Sequence, residues 1–274
     1  MKKKILLALD LEGVNNVVGE PYTGLSKDTE QYGIAVKQAA LEINAAAEAL
    51  FEAGAEKVAL WDNHGGGNNI DAAQLDSRIE LLKPEHGNLR MYFGGEYDCI
   101  CFFGYHAMEG TLGGVLAHTM NSKANQYYKL NGKYIGEVDM DAYIAASHGV
   151  SSCCFVGGDI ACRQAARAVP GIVTVATKHE LSRNEAEFRD NAELLADIKK
   201  SIVEAVNSPA PITELTFPAT MEKSFKRMED AAAYLKRMKS IGLEADHPDD
   251  DILGKDAHTV VSTVNSIEEF IRTF

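Results

Sequence analysis

Asp98–Met120, DCICFFGYHAMEGTLGGVLAHTM, carries both the sheet and the chemistry of this chain. Cys99 to Phe103 is a short apolar run with the length and composition of a buried strand. The run ends on Gly104-Tyr105-His106. Glycines then let the backbone turn, and a second histidine, His118, follows. One histidine at a strand end is ordinarily a core or loop residue. Its meaning depends on what ends the neighbouring strands.

Upstream, Lys4 to Asp10 reads as a strand that runs into Leu11-Glu12-Gly13-Val14. Asp10 and Glu12 have the same parity, so in extended backbone they project to one side. Two carboxylates so placed repel each other unless a cation or a proton lies between them. A capping aspartate beside a solvated glutamate is the other reading. Gly33 to Ala53 has apolar residues at three- and four-residue steps, with Gly54 as its C-cap, and is the clearest helix. Glu56 to Trp61 is the next strand. Strand, long helix and strand make a right-handed crossover, hence a parallel sheet. The second strand exits into Asp62-Asn63-His64-Gly65-Gly66-Gly67-Asn68-Asn69. Three successive glycines suggest a sharp bend or a close approach. No Gly-Lys-Ser/Thr follows, so this is not a phosphate loop.

Asp71 to Leu75 reads as a helical turn, Arg78 to Leu82 as a short strand, and His86 as an exposed turn residue. Asn131-Gly132, between Tyr127–Leu130 and Lys133–Ile135, is the strongest hairpin signal. It delivers Glu137 to the start of a helix over Val138–His148. Ser152–Val156, Ile160–Ala168 and Ile172–Ala176 continue as strand, helix and strand. After Ser182 the character changes. Asn184 to Val206 reads as a charged amphipathic helix, Asn207 to Pro211 as a linker, and Ile212 to Phe217 as a strand. Glu222 to Met238 reads as a helix, His258 to Val264 as a strand, and Ile267 to Thr273 as the last helix. The expected class is α/β, a mainly parallel sheet with flanking helices and a smaller C-terminal α+β layer. The expected division is a metal-binding catalytic domain over 1–182 and a smaller unit over 183–274 that serves oligomerisation and pocket support.

Of 274 residues, 46% are hydrophobic and 24% charged, the balance of a chain with a real core. A net charge of −13 argues against a general nucleic-acid binder. The apolar run Ile5–Leu9 is too short for a signal peptide, and no window approaches a membrane span. The five cysteines, Cys99, Cys101, Cys153, Cys154 and Cys162, all lie in apolar stretches and read as buried thiols of a reducing cytoplasm.

Ligands of an open parallel sheet gather beyond the carboxyl ends of its strands. Three strands here end in Asp10/Glu12, His64 and His106, and the hairpin presents Glu137. Two histidines and three carboxylates are generous for one tetrahedral ion. They suit two ions sharing a bridging carboxylate, an arrangement that polarises a carbonyl and activates water for amide hydrolysis.

These pieces resemble a known family. LDLEG (Asp10, Glu12), DNHGGGNN (Asp62, His64, Asn68, Asn69), FGYHAMEGT (Phe103–Thr111), GVLAHTM (Gly114–Met120) and NGKYIGEVDMDAY (Asn131–Tyr143) are similar to motifs of the zinc-dependent D-aminopeptidases of the bacterial dipeptide-transport operon type. They run in family order over roughly the first half of the chain. The resemblance implies two Zn2+ per subunit, with Asp10 bridging and Glu12, His64, His106 and Glu137 as the other ligands. It implies a catalytic His118 held near the metals without ligating them. The family role for that residue is nucleophile, and general base or acid is chemically as reasonable. The implied activity is hydrolysis of short peptides or amides with an N-terminal D-residue such as D-Ala. The implied assembly is a ring-shaped homo-oligomer, such as a decamer, with its active sites on an internal channel. One departure is a loop between His106 and His118 that is one residue longer than the family pattern. It carries Glu109, either a holder of the substrate amine or a solvated side chain. Two other functions compete: a different dimetal hydrolase such as a phosphoesterase, against which stands the lack of Arg or Lys in the ligand-bearing turns, and a non-catalytic metal-binding assembly protein.

Overall fold

β1 (Lys4–Leu9, KILLAL) is buried from Ile5 onward, as expected of a parallel strand covered on both faces. The computed structural model describes residues 3–19, 25–83 and 96–274; the turn expected at His86 lies outside them. α1 (Glu30–Glu52) starts at Thr29, whose hydroxyl accepts from the Tyr32 N–H at 3.2 Å, a cap worth about 1 kcal/mol. Its Ala35, Ala39, Ile43, Ala46 and Leu50 share one core with Ile5, Leu7 and Leu9. β2 (Lys57–Asp62) then lies parallel to β1, with Asp62 opposite Leu9. Next come β3 (Glu80–Leu81), β4 (Cys99–Tyr105), the hairpin of β5 (Asn125–Leu130) and β6 (Lys133–Tyr134), and α2 (Glu137–Ser147). β7 (Ser151–Gly157), α3 (Asp159–Ala168) and β8 (Val173–Ala176) complete a six-stranded parallel sheet of order β3-β2-β1-β4-β7-β8. The chain winds outward from β1 on one side and from β4 on the other. The sheet's topological switch point is therefore the gap between those two strands, where an open α/β sheet builds its ligand crevice.

The C-terminal part departs from expectation at two places. Residues 184–190 are not helical. β9 (Lys178–Ser182) and β10 (Glu185–Phe188) form an antiparallel pair, and α4 (Asn191–Asn207) starts only at Asp190, whose carboxylate accepts from the N–H groups of Ala192 and Glu193. Ile212–Phe217 is irregular. The strand is β11 (Ala219–Phe225), and α5 (Met228–Ser240) follows it. A lysine hid β11: Lys223 faces inward, with its ammonium 4.5–4.9 Å from the ring centres of Tyr128, Phe225 and Tyr234. That is cation–π stacking in place of an apolar contact. The short β12 (Ala245–Asp246), β13 (Asp249–Asp250) and β14 (Gly254–Lys255) lead to β15 (Thr259–Val264) and α6 (Ile267–Ile271). A second, antiparallel sheet has the order β12-β15-β11-β5-β6.

Contacts cross the Ser182 boundary in both directions. α4 packs on α1, β7 and β8 of the first layer, through Leu194, Ile198 and Ile202. The β5–β6 hairpin from the first half pairs with β11 in the second. All five cysteines are free and buried. Among the described residues no helix is long and apolar enough to cross a membrane.

Glu42, on α1, is a titrating weak point of this core. One carboxylate oxygen accepts from the Asn15 N–H at 2.9 Å and the Gln38 amide at 3.0 Å. Burial raises its pKa to about 7, against the partial relief of those bonds and of Lys178. A folded-state pKa above the unfolded one contributes stability that is complete below pH ~4.5 and is lost as pH rises through 7. Glu42→Gln is therefore expected to gain on the wild type by roughly 2–3 kcal/mol between pH 4.5 and 8. Denaturant melts of both proteins at several pH values check this; parallel curves would show that the carboxylate is ionised without cost.

Candidate metal centre

Two glycines bring the ends of β1 and β4 together. A Cβ on Gly104, at φ +67°, would lie 2.0 Å from the Asp10 carbonyl oxygen, and one on Gly13 would lie 2.0 Å from that of Tyr105. With hydrogen alone at both positions, the Gly13 N–H donates to the Gly104 carbonyl at 2.6 Å. Asp10 and His106 thereby project from the same crevice.

His64 arrives from β2 on the triple-glycine turn, which bends through left-handed Gly65, Gly67 and Asn68. Asp62 holds that turn, accepting from the Asn69 backbone at 2.5 Å, the Asn69 side chain at 2.8 Å and the Ile70 N–H at 3.2 Å. The Asn69 amide also donates to the His64 carbonyl. His64 Nδ1 lies 2.9 Å from Asp10 Oδ1 and 3.1 Å from Glu12 Oε2. The other Asp10 oxygen, Oδ2, lies 3.4 Å from His106 Nε2, which is 3.5 Å from Glu137 Oε1. Glu137 is the first residue of α2. All five expected ligands converge on one crevice. Asp10 stands in the middle, with one oxygen toward each histidine.

The backbone has already chosen the working nitrogen of each ring. His64 Nε2 meets the Leu25 carbonyl at 3.0 Å, and His106 Nδ1 meets that of Ala107 at 3.0 Å. A nitrogen facing a carbonyl must carry the proton, so the opposite nitrogen is the free lone pair of the neutral ring. Those lone pairs face the carboxylates. His106 Nε2 is buried and has no hydrogen-bond partner within the normal limits.

Charge points the same way. Burial alone would raise the Asp10 pKa, but the two imidazoles outweigh it and hold the carboxyl well below the usual range. Burial would likewise raise Glu137, and His106 and His118 bring it down to about 2. Burial would lower both histidines; the Glu12 and Asp10 carboxylates instead push His64 up to about 12, and Asp10 and Glu137 push His106 well above its ordinary value. The crevice calls for positive charge beside Asp10. Protons satisfy that demand in part. Divalent cations satisfy it fully and suit a set of carboxylate oxygens and imidazole nitrogens.

His118 stacks on His106, with ring centres 3.9 Å apart and planes inclined by 10°. Its nitrogen, one of His106 and a Glu137 oxygen all lie within 4.8 Å of one another. Its Nδ1 meets the Leu116 carbonyl at 2.8 Å. Leu116 and Met120, on either side of it, hold left-handed φ values of +51° and +64°. Such strain survives only where surroundings impose it. Here the Leu116 N–H donates to the Arg183 carbonyl, the Arg183 guanidinium donates to the Ala117 carbonyl at 2.5 Å, and the Met120 N–H donates to Glu137 Oε1 at 2.7 Å.

β9 supplies the supports that sequence reasoning missed. Lys178 is fully buried and donates to the carbonyls of Glu12, Val14 and Val17 at 2.6–3.0 Å. Burial lowers its pKa to about 8, with Glu180, Glu42 and Glu12 opposing. Glu180 accepts from the Val115 N–H at 2.7 Å and from Ile160 at 2.9 Å. One strand thus holds the Glu12 turn and the His118 loop. Glu109 stays out of the metal crevice. It lies 3.5 Å from Lys226 and lines a separate cleft beside Tyr127 and Tyr134. A cavity of about 490 Å³ opens over Asp10, Glu12, His64, His118 and Glu137, with Lys123 and Arg183 also on its wall. That size suits a small molecule rather than a folded chain.

Known proteins resemble this chain in sequence and in fold. A family model described as D-aminopeptidase, peptidase family M55, matches residues 3–247. A D-aminopeptidase of Bacillus subtilis strain 168 is 24% identical over 217 residues, 78% of each chain. A solved structure, described as a Zn-dependent D-aminopeptidase from Bacillus subtilis and a self-compartmentalizing protease, shares the fold with a TM-score of 0.84. That match covers 98% of this chain and 94% of the other at 20% identity. Because the family model covers residues 3–247, far more than half of the chain, the chain belongs to the D-aminopeptidase family, hydrolases of the peptide bond.

Proposed function

We propose that this chain is a dinuclear zinc aminopeptidase that removes an N-terminal D-residue such as D-Ala from short peptides or amides. The observation that carries the reading is Asp10, whose two oxygens turn to histidines on opposite sides, 2.9 Å from His64 and 3.4 Å from His106. That is the stance of a carboxylate shared by two cations. Glu12, His64, His106 and Glu137 would supply the remaining ligands, with Glu12 near His64 and Glu137 near His106. Two bound zinc ions would polarise the scissile carbonyl and lower the pKa of water. The chain's own contribution is proton handling. His118 donates its Nδ1–H to the Leu116 carbonyl, which leaves Nε2 as the nitrogen that takes a proton and returns it to the leaving amine. The stacked ring of His106 limits its rotation.

The relative described as self-compartmentalizing supports a further part of the proposal: a ring-shaped homo-oligomer, such as a decamer, that encloses the cavities. Residues 183–274 would serve that assembly and, through Arg183, the pocket. Exposed Leu112, Ile252 and Leu253 are suitable contact residues.

A single preparation tests the proposal. Protein purified without chelator should hold about two divalent ions per chain, run as an oligomer in light scattering, and cleave D-Ala amide and D-Ala dipeptides faster than their L-forms. Metal far below that level, not restored by added zinc, defeats the dinuclear centre. Equal rates on both enantiomers defeat the stereochemistry.

A further inference from the structure

The cavity over the metal crevice carries side chains of both charges. It is lined by the carboxylates of Asp10, Glu12 and Glu137 and also by the cations Lys123 and Arg183. Neither cation comes from a ligand-bearing turn: Lys123 precedes the β5–β6 hairpin, and Arg183 sits between β9 and β10. They run against the charge of the molecule as a whole, which is −13. Among the described residues neither has an acidic partner, whereas several other cations of this chain do. Lys57, Lys129, Arg78, Arg163, Arg167, Arg189 and Lys199 are all ion-paired. Arg183 spends one donor on the Ala117 carbonyl. A guanidinium has five, arranged as a planar fork that matches a carboxylate.

An aminopeptidase reacts at the first peptide bond, so the amino end of its substrate lies at the metals. The rest of a short peptide then extends along the cavity, and its last atoms are a carboxylate. A net-negative protein repels that group at long range. Two unpaired cations on the wall reverse the local field where the chain end arrives. We propose that Arg183, assisted by Lys123, binds the C-terminal carboxylate of the substrate, so that this cavity selects short peptides with a free C-terminus over C-terminally blocked ones. This rests on the aminopeptidase reading and adds a substrate feature to it. The contact also links recognition to chemistry. The guanidinium that meets the carboxylate holds the carbonyl of the residue before His118, so substrate binding steadies the loop that carries the working ring.

The test compares kcat/KM for D-Ala-Gly and for its C-terminal amide on the zinc-loaded full-length protein. The wild type should favour the acid by about tenfold or more, the worth of a charge-assisted hydrogen bond. Arg183→Gln should bring the ratio near one, chiefly through KM. Arg183→Lys should keep part of it, and Lys123→Gln should reduce it. If Arg183→Gln does not fold, Lys123→Gln, altered at an exposed side chain, carries the test. A wild-type ratio near one overturns the inference while leaving the aminopeptidase reading in place. So does an Arg183→Gln enzyme that loses acid and amide turnover alike, since that would make Arg183 a prop for the His118 loop and nothing more. No turnover of either substrate by the wild type overturns the aminopeptidase reading itself, and this inference with it.

Discussion

His118→Ala is expected to lower kcat by roughly 100- to 10,000-fold while the protein keeps its metal and its fold, the range set by loss of a positioned acid–base group. The expectation rests on what the ring touches. Its Nδ1 is spent on the Leu116 carbonyl and its face on His106. Asp10, Glu12, His64, His106 and Glu137 meet one another without it. Removal leaves the Leu116 carbonyl beside solvent and costs little in packing, because the ring is only half-buried. KM should move far less than kcat. Metal content by atomic spectroscopy, kcat, and KM for a D-Ala dipeptide check all three points. Retained turnover removes His118 from the mechanism. Lost metal makes it a ligand instead, for which its nitrogen lies close enough to His106 and Glu137.

Much of this site was legible in the residues because parallel strands advertise themselves. KILLAL, KVALWD and CICFFGY are continuous apolar runs, and each is buried almost throughout. A polar residue just past such a run can only stand at the sheet's rim, so Asp10, His64 and His106 could be grouped before any coordinates. What escaped was the scaffold behind them, for one physical reason. Periodicity reading assumes that the buried face is apolar. On β9 that assumption is inverted: Lys178 and Glu180 point inward to backbone partners, and Leu181 is left 44% exposed. β11 hid in the same way behind Lys223. β9 carries no assignment in the sequence reading, and β11 from Glu222 onward reads as part of a helix that begins only at Met228. The approach of β1 to β4 through Gly13 and Gly104 was equally silent, since a glycine that admits a neighbouring carbonyl looks in sequence like any turn glycine. Arg183 drew no attention because it stands between Ser182 and the helix expected from Asn184, far along the chain from the turns it serves.

Asp10→Asn is expected to abolish tight binding of both ions and with it nearly all turnover, although the side chain keeps its shape. The amide retains one oxygen, which can still accept from the Leu11 N–H as Asp10 Oδ1 does at 2.9 Å, so the turn should survive. Its NH2 must face either His64 Nδ1 or His106 Nε2. Each is the nitrogen left free for a cation, and neither place tolerates a donor that cannot ligate. The crevice also loses the one negative charge common to both sides. Groups that merely support a ligand cost 10- to 100-fold in metal affinity when removed, and loss of a shared ligand should exceed that on both ions at once. A readout independent of catalysis follows from linkage. Zinc at about 1,000 times its dissociation constant stabilises a single-site protein by about 4 kcal/mol, so the wild type should melt higher with zinc than with chelator, and the variant should melt alike in both. Loss of one ion only, with half the zinc-dependent shift retained, would mean that Asp10 serves a single side and the two cations are bound independently. Full occupancy and activity in the variant would leave no role for a shared carboxylate at all.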